Sequence, residues 1–336
     1  MKKVLAAAAA CLLVFAAAAC KPKEEAPPPD PNFPYMVEYS SLNASILERP
    51  ARVVSLSPSI TEIIYDMGLQ KRLVGVSENC TYPEQASRVT VCGTAMNPDL
   101  RVIKSLKAQV VITGTPMTDS DLRMIQQMGA EVCVLPRAKN LQQLEELYKA
   151  VGGIFDGKHD GIAAAESFYK PLMRRVEGMQ HGTAEAEEPM KALYIAQPYY
   201  TAATGDSFEG KLLEEIGYEN IAGEYFSWVL PEDVRQSMNP QIVFYSSHID
   251  LHKLISQPGY STSDCLKNEN FYEFDLAAME GQGKRMFDQL EMMVKLGYPD
   301  ADITPPKEEQ PQDEQTAEQA DGEEAEFESG VSKKEK

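Results

Sequence analysis

The chain is poor in the residues from which chemically active sites are most often built. Its 336 residues include 4 histidines, 1 tryptophan and 6 cysteines. No CxxC or Cys/His spacing points to a metal site. Positive charge is in deficit: 32 Lys and Arg stand against 51 Asp and Glu, a formal net charge of −19. So acidic a chain lacks the electrostatic footprint of a nucleic-acid binder. Gly205-Asp206-Ser207 superficially matches a block found in some esterases, and His248 and His252 lie downstream. No GxSxG or DxxH accompanies the serine, however, and a triad needs a positioned histidine and acid. Asp206-Ser207 reads more simply as the cap of a helix starting at Phe208. The sequence therefore gives no reason to expect catalytic residues, a resident metal or a cofactor.

Long apolar runs are also scarce, apart from Val4 to Ala19, which follows a short basic start and ends in small residues before Cys20. This is the layout of a secretory signal peptide over 1–19, and it is a little short for a stable membrane span. Cys20 after Ala17-Ala18-Ala19 resembles a bacterial lipobox, which implies an acylated cysteine and a lipid anchor on the extracytoplasmic side of a membrane. Residues 20–32 then read as a charged, proline-rich tether. The other end, 301–336, carries 12 acidic and 4 basic residues with few large apolar side chains, and reads as a disordered acidic tail.

Of the remaining cysteines, Cys80, Cys92, Cys133 and Cys265, an oxidising compartment permits disulfides. Cys80 with Cys92, in neighbouring loops, is the pair to test first. Cys133 lies in the apolar run EVCVLP and reads as a buried thiol.

Between the ends lie about 270 residues, enough for one large domain or two ordinary ones. Apolar runs of strand length recur between helical patterns: Val53–Leu56, Leu73–Val76, Val110–Thr113 and Val132–Leu135, then Ala192–Ile195 and Ile242–Tyr245. Such runs, buried on both faces and separated by helices, indicate parallel sheets. Ser59 with Glu62 predicts a capping box for a helix that Gly68 stops, and Pro231 fits a first helical position before Glu232. Weak echoes between MGLQKRLVG (67–75) and IGYENIAG (216–223), and between SLKAQVVI (105–112) and SMNPQIVF (237–244), predict two lobes of similar topology. The expected organisation is an α/β lobe over 33–155, a long helical backbone over 156–182 kinked at Pro171, and a second α/β lobe over 183–300. HGTAEAEEP (181–189) is read as the hinge.

Two doubly wound lobes present the C-terminal edges of their strands to a common crevice, and ligands of such sheets bind there. The loops expected to line it are Ser57-Pro58-Ser59, Asn79 to Tyr82, Gly93 to Asn97 and Thr113 to Met117, with Gln197 to Ser207, Phe226-Ser227-Trp228 and Ser246-Ser247-His248 opposite. None of these loops contains an arginine.

RVVSLSPSITEIIYDMGLQKRLVGVSENCTYPEQA (52–86) followed by NPDLRVIKSLKAQVVIT (97–113) resembles the first lobe of the periplasmic cobalamin- and ferric-siderophore-binding proteins of ABC importers. YYTAATGDSFEGKLLEEIGYENIA (199–222) with EDVRQSMNPQIVF (232–244) is similar to their second lobe, and FPYMVEYSSLNASILERP (33–50) resembles the hairpin ahead of the first strand. The resemblance implies two Rossmann-like lobes on a rigid helical spine, limited closure on ligand, and docking onto a permease with its ATPase. It is nearest to the cobalamin-binding members around Trp228 and the Tyr199-Tyr200 loop. Cobalamin or a related corrinoid is therefore the expected ligand, since flat aromatic faces suit a large macrocycle. Pro58, Ser59, Tyr82, Met96, Asn97, Tyr199, Tyr200, Trp228 and His248 are the expected ligand contacts. A ferric siderophore or haem is the alternative; anionic siderophores are commonly held by arginine, which these loops lack, and haem, whose iron accepts Tyr or His, is the better rival. His248 and His252, four residues apart, could share a helix face. Permease docking in the resembling family uses one acidic position per lobe; here these correspond to Asp233 with Glu232, and to Asp99 in place of the expected position, occupied by Arg101. A secreted hydrolase using Ser207, or a surface scaffold that has kept the fold and lost the ligand, are the competing readings.

Overall fold

The computed structural model describes residues 28–197 and 201–307. The signal segment, Cys20, Tyr199, Tyr200 and the tail from 308 onward lie outside the described residues.

A short antiparallel hairpin, β1 (Tyr35–Met36) and β2 (Ser45–Ile46), precedes the first sheet. That sheet comprises β3 (Val53–Ser55), β4 (Leu73–Val76), β5 (Thr90–Val91), β6 (Val110–Thr113) and β7 (Glu131–Val134). All pairings are parallel, in the order β5-β4-β3-β6-β7. Its apolar residues divide between two faces: Val53, Val110 and Ile112 join one core, and Val54, Val111 and Val132 the other. This two-faced burial is why the strands read as continuous apolar runs. Helices α1 (Pro58–Asp66), α2 (Leu100–Ser105) and α3 (Asp119–Gln127) connect the strands.

The second sheet is also wholly parallel, in the order β11-β10-β8-β9, from β8 (Lys191–Ile195), β9 (Glu219–Asn220), β10 (Ile242–Ser246) and β11 (Phe271–Phe274). The sequence pattern missed β5, β9 and β11. Thr90–Val91 is an exposed edge, Glu219–Asn220 has only two residues, and Phe271–Phe274 is only half buried, so none carries an apolar run.

The spine is two helices. Helix α4 (Leu141–Asp156) turns through a wide corner at 157–161 into α5 (Ile162–Thr183), which doubles back along it. Gly152 and Gly161 allow the close approach, since a Cβ on either would overlap the other's carbonyl. Tyr148 stacks on Phe168 with centroids 5.7 Å apart, Lys149 pairs with Glu166 at 3.4 Å, and the Tyr169 hydroxyl donates to the Leu141 carbonyl at 2.8 Å. With 22 residues, α5 is about 33 Å long. It runs through Pro171 because that ring lies on its exposed face, where the released carbonyl meets water. His181 to Thr183 still belong to α5, so the link into the second lobe is shorter than the hinge expected at 181–189.

The remaining helices are α6 (Phe208–Glu215), α7 (Glu232–Ser237), α8 (Leu251–Ile255), α9 (Asp264–Lys267), α10 (Leu276–Gly281) and α11 (Lys284–Gly297). α11 returns to the spine, where Asp288 and Glu291 hold Arg175 at 2.7 and 2.6 Å.

Several sequence expectations are corrected. The cap of α1 is Ser57, whose hydroxyl accepts from Ile60, with Pro58 in the first turn; Ser59 with Glu62 is not a capping box. Pro231 is the residue before α7 rather than its first. The tether stops short of Asn32, which is buried and holds the 157–161 corner through Asp160 and the His159 and Asp160 amides. The tail begins later than 301: Asp302 and Ile303 lie against Gly182 and Gly178 of α5, and Arg174 donates to the Pro306 carbonyl. Cys80 and Cys92 are both free thiols, buried in different cores: Cys80 donates to Thr61 at 3.3 Å, while Cys92 packs with Val54 and Val111. Cys133 is a buried thiol.

Burial pushes Tyr35 and Tyr39 up to about 12, against an ordinary phenol near 10. A folded value above the unfolded one gives stability that is complete below about pH 10 and vanishes as pH rises through about 12. The urea midpoint is therefore expected to hold steady up to about pH 10 and to fall beyond it, less steeply in Tyr35→Phe; an unchanged alkaline slope in that variant removes Tyr35 from the account.

Candidate functional site

In each sheet the strand order reverses at one strand, β3 in the first lobe and β8 in the second, and the turns leaving these strands open onto the gap between the lobes. The first-lobe side is formed by Pro58, Ser59, Asn79, Thr81 and Tyr82. Facing them are Ala277, Glu280, Gly281 and Arg285, and together they enclose about 410 Å³. A second compartment of about 280 Å³ continues between Arg137, Ala196, Gln197, Thr201, Glu209, Trp228 and Leu276. Arg137 and Glu280 border both, so the two compartments form one cleft. Larger hollows of about 520 Å³ at the α5–α6 junction and about 650 Å³ beside Leu47 and Gln109 lie away from the strand tips. The second of these borders the opening residues of β6 and β7, the wrong edge of the sheet for a ligand.

The cleft does contain arginine, contrary to the sequence expectation. Arg137 follows β7, a strand tip left out of the expected loops, and Arg285 opens α11. Both reach across to the other lobe. Arg137 Nη2 donates to Glu209 at 2.7 Å and to the Met279 carbonyl at 3.3 Å. Arg285 grips Glu62 with two bonds, Nη2 to Oε2 at 2.7 Å and Nε to Oε1 at 3.0 Å. Its guanidinium lies 3.6 Å from the Tyr82 ring centroid, a cation–π contact that presents the tyrosine face at the cleft wall. Glu62 and Glu209 are only 2% and 4% exposed. Burial pushes the Glu62 carboxyl up, with Arg285 offsetting part of the shift.

Between the pairs, Gln282 closes the floor. It is fully buried in the left-handed region at φ 54°, its amide bonding both the Ala138 N–H at 3.0 Å and the Ala138 carbonyl at 2.9 Å. Arg137, Glu209 and Arg285 were missed from the sequence because their partners are more than 70 residues away. Glu62 stands three residues after Ser59, a local pattern that reads as a capping box.

Trp228 is held in an uncommon backbone state. Ser227 and Trp228 both have positive φ, 61° and 63°, which non-glycine residues rarely adopt and which costs energy unless neighbours enforce it. The enforcing groups come from the turn ahead of α6. Asp206 accepts the Ser227 amide at 3.1 Å and the Thr204 hydroxyl at 2.6 Å, and Thr204 Oγ1 accepts the Trp228 amide at 3.0 Å. These bonds, Thr204's first, hold the Asp206 carboxyl below its usual range. The indole, half-buried, meets Tyr194 edge-on at 6.4 Å and lines the cleft, with Phe226 and Val229 exposed on either side.

Of the expected ligand contacts, Pro58, Ser59, Tyr82 and Trp228 border the cleft. Met96 and Asn97 border neither compartment; they sit on an exposed turn closed by the Thr94 to Asn97 bond, and only Ala95 turns inward. His248 also borders neither compartment. It is exposed in the turn after β10, ahead of α8, whose first residue is Leu251, so it shares no helix with His252. Among the described residues no group of His, Cys, Asp and Glu could hold a metal ion. Ser207 is buried, its hydroxyl donating to the Thr204 carbonyl at 2.6 Å and accepting from the Gly210 amide at 3.0 Å. It caps α6, and the hydrolase reading loses its nucleophile. Of the acidic docking positions, Glu232 and Asp233 are exposed in the first turn of α7. Asp99 caps α2 by accepting from Arg101 and Val102, which occupies its carboxylate locally.

Two parallel α/β lobes on a helical spine, with a lined cleft at their strand tips, define a bilobed binding module. Residues 53–277 match the family described as "Periplasmic binding protein", and the chain belongs to it. It is 25% identical over 275 residues, 80% of this chain and 87% of the other, to an ABC transporter substrate-binding lipoprotein of Bacillus subtilis. It is 27% identical over 245 residues to a vitamin B12-binding protein of Vibrio vulnificus, covering 70% of this chain and 84% of that one. Among solved structures, a periplasmic haem-binding protein of Vibrio cholerae superposes with a TM-score of 0.64 at 20% identity, covering 74% of this chain and 99% of that one. At that identity the likeness shows the shared fold.

If Thr204 and Asp206 impose the Trp228 conformation, Asp206→Ala releases the loop. The expected readout is a red-shifted emission from the only tryptophan with little change in the urea midpoint; emission identical to that of the parent chain would show that the loop holds itself.

Proposed function

We propose that this chain captures cobalamin or a related corrinoid in the interlobe cleft and delivers it to an ABC permease, without catalysing a reaction. The observation that carries the reading is a fixed aromatic face in each compartment of the cleft, one from each lobe. Tyr82 is backed by Arg285 on the first-lobe side, and Trp228 is locked by Thr204 and Asp206 on the second-lobe side. Rigid flat faces set in advance suit a broad, partly apolar macrocycle, whose binding then orders few side chains. A relative named for vitamin B12 binding supports the choice of ligand. Met96, Asn97 and His248 border neither compartment and lend it no support.

The chain acts from the envelope, held through acylated Cys20 to the extracytoplasmic face of a membrane. A lipoprotein relative supports this, and no described helix is long and apolar enough to cross a membrane. Docking uses the exposed first turn of α7, where Glu232 and Asp233 meet permease cations.

Because Trp228 lines the cleft, cyanocobalamin, which absorbs where tryptophan emits, is expected to quench the fluorescence of the chain lacking its first 20 residues saturably at low concentration. Calorimetry that finds no heat with any corrinoid but tight binding of haem or a ferric chelate rejects the corrinoid while leaving the transport role in place. Reversing both docking charges, Glu232→Lys with Asp233→Lys, is expected to cut uptake by reconstituted permease at least about tenfold, ~1.4 kcal/mol of charge complementarity, with ligand affinity unchanged; undiminished uptake excludes α7 from docking.

A further inference from the structure

The charge state of the cleft carries an inference about the ligand that deepens the proposed function and rests on it. The charged side chains lining the two compartments, among the described residues, are Arg137 and Arg285 against Glu62, Glu209 and Glu280. Both guanidiniums are already committed across the lobes, to glutamates that are almost fully buried. Glu280 is exposed, borders both compartments and joins neither pair, so the lining is net negative.

An anionic ligand gains from an arginine only if the arginine turns from its glutamate or if the ligand joins the pair as a second anion. The first course strands a buried carboxylate without its counter-charge, which is costly in a low-dielectric site. The second places like charges side by side against Glu280. A neutral acceptor such as a carboxamide oxygen meets neither penalty, because it can take an N–H from a guanidinium that keeps its ion pair. We infer that Glu62 and Glu209 are specificity-determining residues, neutralising the cleft arginines in advance so that the site selects ligands bearing uncharged amides and rejects carboxylate-bearing ones of similar shape. The same arginines that would mark an anion site in isolation are here part of an anion filter.

The test uses the full mature chain and two ligand pairs, each an acid and its uncharged derivative: cyanocobalamin against its monocarboxylate, in which one side-chain amide has become an acid, and haemin dimethyl ester against haemin. In each pair the neutral member is expected to bind about tenfold more tightly, the size of one charged contact withheld. Glu209→Gln is expected to bring the members of each pair to within about threefold, by freeing Arg137. Equal affinity within both pairs on the unaltered chain, or tighter binding of the acids, overturns the inference even if Glu209→Gln does not fold. If no corrinoid binds at all, the ligand reading fails separately, and the haemin pair still decides the charge rule.

Discussion

The way the two lobes meet depends on two arginines that exchange partners across the gap. Arg137 of the first lobe reaches Glu209 of the second, and Arg285 reaches back to Glu62. Each glutamate is buried deeply enough that losing its arginine alone costs about 3–5 kcal/mol, because an uncompensated charge is left inside. Neither lobe can complete its own electrostatics without the other. Gln282 adds an uncharged tie of the same kind, giving and receiving one bond with Ala138 between the two pairs. The lobes are therefore fixed in register by short-range, directional contacts at the floor of the cleft. The hairpin of α4 and α5, together with α11, braces them from behind.

These contacts explain which parts of the protein were legible in its sequence. The sheets were, because a strand buried on both faces must be apolar throughout, and Val53–Ser55, Val110–Thr113 and Ile242–Ser246 advertise that in their composition. Helix ends were legible where a single residue type is required. Gly68 and Gly217 stand at left-handed positions after α1 and α6, and Ser207 caps α6 with its own hydroxyl. The short edge strands β5 and β9 were not, since two residues are too few to carry an apolar pattern.

The site was legible in part, for the same reason. Pro58, Ser59 and Tyr82 follow strand tips, so topology alone places them at the cleft. Trp228 follows β9, a strand the sequence pattern does not reveal, and its place at the cleft was legible from the loop that carries it and from the resemblance to cobalamin binders. Its positive φ left no trace in the sequence, because the constraint lies in Thr204 and Asp206, more than 20 residues earlier. Met96 and His248 also follow strands, yet they border neither compartment, since the turns that carry them face solvent. Glu62 was misread because an acid three residues after a serine is locally sufficient for a capping box. Only the tertiary fold shows that it belongs to Arg285.

The same floor that joins the lobes limits how the cleft can respond to a ligand. Wide opening would separate Arg137 from Glu209 and Arg285 from Glu62 together, a cost that no single ligand contact offsets. Trp228 is likewise held in place before any ligand arrives, by three hydrogen bonds that enforce a backbone state costing about 1–3 kcal/mol per residue if left unsupported. A site built this way selects by fit to surfaces already set: two aromatic walls and a floor whose cations are already matched. Its discrimination is therefore set by the resting electrostatics and geometry of the cleft, where a buried glutamate acts on a ligand through the arginine it holds.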